Sequence, residues 1–147
     1  MIKIHKAILS ESKIIAELFN RMWEDHNLKE LQQEFEEDIA SDEAAVFLAY
    51  SGEIPVAVAQ CRLRNDYVEG TCSSPVGYLE GIYVEQEYRK HGIAKLLCNE
   101  CENWAKEKGC EEFASDCELS NETSLMFHLG IGFDEANRII CFTKKLS

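Results

Sequence analysis

No stretch of this chain stays apolar for long enough to cross a bilayer, which excludes a helical membrane span. The opening Met1-Ile2-Lys3-Ile4-His5-Lys6 alternates apolar and basic residues as a strand does, whereas a secretory signal needs a longer unbroken apolar region. An internal repeat, a low-complexity segment and a linker-like run are all absent. The 147 residues are therefore read as one domain, 1–147, and 46% hydrophobic content suffices for a substantial core. Positive charge is scarce: 15 Lys and Arg stand against 27 Asp and Glu, a formal net charge of −12 at pH 7. That balance opposes nucleic-acid binding, which needs a broad basic surface, and suits a cationic partner. Seven cysteines, an odd number scattered through segments that read as regular structure, argue against a complete disulfide framework and for reduced thiols in the cytoplasm.

The order of elements reads along the chain from periodicity and turn residues. Residues 2 to 7 form a first strand, and Ser10 caps a helix with Ile14, Ile15, Leu18, Phe19 and Met22 at helical spacing. A second helix spans Leu28 to Ala40, with Leu28, Leu31, Phe35 and Ile39 as its apolar stripe and its many acids, Asp38 among them, on solvated faces. Ala44 to Tyr50 and Ile54 to Arg64 read as an antiparallel hairpin around Ser51-Gly52-Glu53, with Pro55 near its margin. After a polar loop, Asn65 to Pro75, the segment Val76 to Val84 reads as the central strand. A helix follows Gly92, with Ile93, Leu96, Leu97, Cys101 and Trp104 on one face, and ends at Gly109. Glu111 to Cys117 supplies a strand, Asn121 opens a short helix through His128, and Phe133 to Ala136 and Arg138 to Lys144 read as two closing strands.

The junction between the central strand and the next helix carries the strongest chemical signal. Leu79-Glu80-Gly81-Ile82-Tyr83-Val84 is followed by Arg89-Lys90-His91-Gly92-Ile93-Ala94, with Lys95 close behind. A glycine at this turn lets consecutive amides converge on one anion, and the unpaired N–H groups of the helix start add partial positive charge. The cations cluster here against an acidic background, the pattern of a phosphate site.

The Arg-x-x-Gly-x-Ala form resembles the pyrophosphate motif of the GNAT superfamily of acyl-CoA N-acyltransferases. The resemblance runs along nearly the whole chain and implies an α/β fold: a mixed central sheet with a splayed pair of parallel strands, flanked by helices. Asn121-x-x-Ser124-x-x-x-His128 before Gly132-Phe133 resembles the fourth-helix pattern of that superfamily, with His128 where tyrosine is usual. More specifically, Asn65-Asp66-Tyr67-Val68-Glu69-Gly70, Ser73-Ser74-Pro75, Leu79-Glu80-Gly81-Ile82 and Ala114-Ser115-Asp116 resemble the aminoglycoside 6'-N-acetyltransferases. That likeness implies acetyl transfer from acetyl-CoA to the 6'-amino group of an aminoglycoside in a ternary complex, conferring resistance, with no metal.

An alkylammonium has no free lone pair near neutral pH and must lose a proton before it attacks a thioester, so carboxylates belong in the cleft. Asp116 is expected as the base, with Glu80 holding substrate or water. By resemblance, Trp23, Tyr67 and Glu135 add to the sugar site, and His128 stands where a tyrosine protonates the departing thiolate. The resemblance also implies that Ile82, Tyr83 and Val84 bind the pantetheine arm through backbone groups and that Asn121 contacts it. Lys90, His91, Gly92, Ile93, Ala94 and Lys95 would hold the pyrophosphate, and the protein would be a homodimer with its C-terminal strands at the interface. Cys98-x-x-Cys101 with Cys110 and Cys117 admits a zinc reading, but packing accounts for these thiols without a metal. Two other functions stay open from the residues: a GNAT enzyme for a protein amine or polyamine, and a noncatalytic acetyl-CoA sensor.

Overall fold

The computed structural model describes residues 1–147. Five strands, β1 (Ile2–Lys6), β2 (Ala44–Ser51), β3 (Ile54–Arg64), β4 (Val76–Val84) and β5 (Phe113–Ser115), form one sheet in chain order. The first four are antiparallel neighbours, while β5 runs parallel to β4. Helices α1 (Ser12–Asn20) and α2 (Leu28–Ala40) cover one face, α3 (Ile93–Glu107) covers the other, and α4 (Glu122–Gly130) follows β5. This is the mixed sheet expected from the sequence, with its boundaries at β4 and α2 as read there.

β2 is apolar at nearly every position because both of its faces are covered. Val46 and Leu48 pack with Ile15, Phe19, Leu31 and Phe35 from the first two helices. Ala45, Phe47 and Ala49 pack on the other side with Leu97, Cys101 and Trp104 of α3. The stripe of α3 runs Ile93, Leu97, Cys101, Trp104, at spacings of four, four and three, so Leu96, expected within it, lies outside and half-exposed. Met22 falls beyond the end of α1 and Leu28 sits at the first turn of α2, both more than a third exposed. The buried position on α2 that sequence periodicity misassigned is Asp38. Its carboxylate accepts from the Arg62 guanidinium at 2.9 Å and from the Gln60 amide, and these two partners from β3 allow an acid to sit under the helix.

Two irregularities of β4 place a pair of acids at the mouth of the sheet. Gln60 faces Gly81 and Cys61 faces Leu79, so Glu80 is the extra residue of a β-bulge. Gly81 is required beside it: a Cβ there would lie 3.0–3.1 Å from the rings of Trp23 and Phe19. The parallel ladder with β5 covers only Gly77–Leu79 against Phe113–Ser115, so the strands part where Glu80 and Asp116 begin.

The two closing strands do not form. No strand follows β5, and Ile139, Ile140, Phe142 and Leu146 are exposed. A two-stranded ribbon has little stability by itself. The segment is instead anchored at its start, where Phe133 packs against the core, Ala136 fills the space over Gly70, and the Asn137 amide donates to Glu69 at 2.8 Å.

Candidate active site

The mouth of the splay is lined by a row of four polar side chains. Arg64, at the end of β3, reaches Glu80 on the bulge with a two-point contact: Nε to Oε2 at 3.1 Å and Nη2 to Oε1 at 2.9 Å. The same guanidinium lies 3.5 Å from the centroid of the Tyr78 ring, and the Tyr78 hydroxyl donates to Oδ2 of Asp116. Burial, and then the Asp116 carboxylate, push the Tyr78 phenol far above its usual range, so it stays protonated. Glu80 and Asp116 are thus joined through Tyr78 and Arg64, neither of which sequence reasoning singled out. The available signal was the alternation that puts Tyr78 and Glu80 two positions apart on one strand, with a basic residue ending the antiparallel neighbour.

His128 reaches the same junction from α4. Its Nδ1 donates to the Ser124 carbonyl at 2.7 Å, since a carbonyl only accepts, and its Nε2 lies 2.9 Å from Ser115 Oγ. Ser115 Oγ is in turn 3.2 Å from the Leu79 carbonyl. Both ring nitrogens are therefore engaged, and the imidazole ties α4 to the last paired residues of β4 and β5. Asn121 caps α4, its side-chain oxygen accepting from Ser124 N–H at 3.0 Å.

The remaining acceptor-site candidates divide between two cavities. Trp23 stacks on Phe19 at 4.8 Å and, with His26, Glu34, Gln60, Arg62 and Glu80, lines a cavity of about 290 Å³. Tyr67, Asp116, His128 and Glu135 line a larger groove of about 600 Å³. Arg64 borders that groove while its head group holds Glu80, and so marks the wall between the two. Trp23 and Tyr67, expected on one sugar site, are on opposite sides of this wall. The groove carries the carboxylates of Glu69, Glu112, Asp116, Glu118, Asp134 and Glu135 against Arg64 and Arg138. Glu135 is itself engaged by Arg138 at 2.8 Å.

The loop before α3 has the backbone a phosphate site needs. Gly92 is left-handed at φ 80° and Lys90 at φ 66°, and no protein acceptor takes the N–H groups of Ile93, Ala94 and Lys95. Lys90 and His91 are exposed beside them. A Cβ on Gly92 would meet nothing within 4 Å, so the glycine is required by its φ rather than by crowding. Arg89 turns away, its Nε donating to the Val84 carbonyl at 2.8 Å. From Glu80 through Ile82 and Tyr83 to Val84, the edge of β4 that faces β5 has no strand partner. The residues present fit acetyl-CoA: open strand edge, free amides and left-handed glycine succeed one another along the chain.

The four cysteines of the zinc reading do not converge; no group of three His, Cys, Asp or Glu side chains is arranged as metal ligands. Cys98 and Cys101 pack in the core with Cys61, and burial pushes the Cys98 thiol up to about 12. All seven cysteines are unpaired.

The acetyltransferase (GNAT) family matches residues 12–133. Aminoglycoside N(6')-acetyltransferase type 1 of Acinetobacter haemolyticus is 42% identical over 130 residues, spanning 88% of this chain and 89% of that protein. Among solved structures, aminoglycoside N-acetyltransferase AAC(6')-Iy in complex with coenzyme A superposes with a TM-score of 0.95 at 32% identity, covering 99% of this chain and 95% of that one. AAC(6')-Iy in complex with the bisubstrate analogue CoA-S-monomethyl-acetylneamine gives a TM-score of 0.94 at 32% identity, with 99% of both chains covered. With this coverage and the splayed β4–β5 junction, the chain has the GNAT fold and belongs to the GNAT acetyltransferase family.

Proposed function

We propose that this protein transfers the acetyl group of acetyl-CoA to the 6'-amino group of aminoglycosides, giving an amide and free coenzyme A and so inactivating the antibiotic. The observation that carries the reading is the carboxylate-rich groove opening where β4 and β5 part, in a chain with 42% identity to an aminoglycoside N(6')-acetyltransferase. A polycationic sugar is drawn to such a groove before any close contact forms.

Asp116 accepts, directly or through a water, the proton that the substrate ammonium loses before it attacks; the freed nitrogen then bonds to the acetyl carbon, gives its second proton to solvent, and the carbon–sulfur bond breaks. Only Oδ2 of Asp116 has a protein partner, which leaves Oδ1 for this task. Glu80, fixed by Arg64, holds the acceptor ring from the cavity that Trp23 lines, while Tyr67 and Glu135 hold it from the groove. The free amides of Ile93, Ala94 and Lys95, with Lys90, His91 and Gly92, hold the pyrophosphate of acetyl-CoA. The exposed edge at Ile82, Tyr83 and Val84 pairs with its pantetheine amides, and Asn121 borders that arm. When bound, acetyl-CoA supplies the activated acyl group. In the neutral tautomer His128 donates only through Nδ1, so a proton reaches the departing sulfur from its Nε2 only when the ring is imidazolium.

Residues 1–147 act as one catalytic domain in this reading. Seven unpaired thiols suit a reducing cytoplasm, where acetyl-CoA is made. The exposed apolar tail, Ile139 to Leu146, suits a homodimer in which it meets a second copy.

The test is incubation with acetyl-CoA and either kanamycin A, which carries a 6' amine, or paromomycin, which carries a 6' hydroxyl, with products followed by mass spectrometry. Acetylation of kanamycin at the 6' nitrogen with paromomycin spared at that position is the expected result. No product from either, in protein that binds acetyl-CoA, rules the reading out and directs the search to other amines.

A further inference from the structure

Asp116 lies one residue beyond the end of β5, where no ladder holds its backbone. A proton acceptor must keep its place to a fraction of an ångström. Tyr78 has what Asp116 lacks: it sits mid-strand in β4, paired on one side with Arg62 of β3 and on the other with Ala114 of β5. Its ring is buried between Val68 and Val76, with Ala114 packed alongside and the Arg64 guanidinium over its face. The hydroxyl at the tip of this fixed ring has one protein partner, Asp116 Oδ2. We propose that Tyr78 is a positioning residue for acetyl transfer: it tethers one oxygen of Asp116 so that the other faces the reacting amine, and through Arg64 it holds Asp116 in register with Glu80.

The inference rests on the reading of Asp116 as proton acceptor. Tyr78 gives up no proton in the reaction. The ammonium proton passes to Asp116, while the phenol, kept protonated by burial and by Asp116 itself, donates throughout. Arg64 contributes in two ways. Stacked at 3.5 Å, it covers a face of the ring, and its fork on Glu80 ties the second carboxylate to the same ring.

Tyr78→Phe removes the hydroxyl and keeps the ring under Arg64. It is compared with the parent and with Asp116→Asn for kcat, both KM values and thermal unfolding. The expected Tyr78→Phe result is a fall in kcat of about tenfold, the KM for acetyl-CoA and for the aminoglycoside each staying within about twofold. A role in packing alone lowers the melting temperature and leaves kcat in place at temperatures where the variant is folded. Arg64→Gln, a change at a more exposed side chain, lowers kcat in the same direction and gives an answer even if Tyr78→Phe fails to fold. If Asp116→Asn abolishes turnover while neither other variant lowers kcat, the tether is refuted and the proton-acceptor reading survives. Undiminished turnover in Asp116→Asn refutes both.

Discussion

Gly92 and Asp38 show what one residue can and cannot reveal before a structure is known. Gly92 was legible because a turn that aims consecutive amides at one anion favours glycine, and its φ of 80° is one that glycine adopts without strain. What could not be read is the neighbouring Lys90, which is also left-handed at φ 66°. Asp38 was misplaced because an acid off the apolar stripe of a helix looks solvated, and its burial depends on Gln60 and Arg62, which lie on a strand more than twenty residues away. The same limit hid Arg64 and Tyr78: each stands just before a motif rather than within it, and the sheet puts them between Glu80 and Asp116. Because a side chain on Gly92 meets open space, Gly92→Val acts through the backbone. It is expected to weaken acetyl-CoA binding by about tenfold, the equivalent of the 1–2 kcal/mol that a left-handed conformation costs a side-chain-bearing residue, with thermal stability little changed. Calorimetric titration that returns the parent affinity removes the loop from the phosphate site.

Among the elements, β4 is the one that makes the site, because its bulge at Glu80 and its parting from β5 lie at the same point. Its limits were readable from Val76 to Val84, as were those of α2, since a buried run between turn residues and a capped amphipathic stretch both mark their own ends. The stripe of α3 was displaced in the sequence reading because Leu96 and Leu97 are adjacent and only docking selects between them. A different kind of element contact holds the first strand. Glu11, in the 3-10 turn Leu9–Glu11, accepts from the Ile8 N–H at 3.0 Å and the Tyr50 hydroxyl at 2.8 Å, with the His5 ring at 2.9 Å. Burial alone would raise its pKa, but these partners outweigh burial and hold the carboxyl below 4.5. A carboxyl depressed in the folded state contributes stability above its unfolded value, and that contribution is lost as pH falls through the folded one. Glu11→Gln is therefore expected to lower the melting temperature by about 2–4 °C at pH 7. The gap between variant and parent closes as the pH is taken below 4.5. A gap that stays constant from pH 7 to pH 3 in thermal scans shows that the charge of Glu11 contributes nothing.

For the molecule as a whole, the C-terminal tail is where sequence and single-chain structure part. The apolar run Ile139-Ile140-Cys141-Phe142 within Arg138 to Lys144 reads as a strand, yet a strand needs a partner, and the chain leaves this one without any. Ile140, Phe142 and Leu146 are 79%, 89% and 92% exposed, an apolar surface that a lone domain rarely presents. The sheet offers what such a segment lacks, for β5 is its last strand and only three residues long. In the homodimer proposed above, each apolar side chain that becomes fully covered contributes about 1.5–3 kcal/mol, so a few of them from both copies offset the cost of association. The tail also forms a wall of the larger groove through Ala136, Asn137, Arg138 and Ile139, so assembly bears on catalysis as well as stability. Light scattering across a hundredfold range of concentration should find the parent dimeric and the double variant Ile140→Asp/Phe142→Asp monomeric. Because the phosphate loop before α3 is no part of the groove that the tail lines, the monomer should still bind acetyl-CoA while its KM for kanamycin rises. A parent that is monomeric throughout removes the dimer, whereas a dimer that survives both charges places its interface somewhere other than the tail.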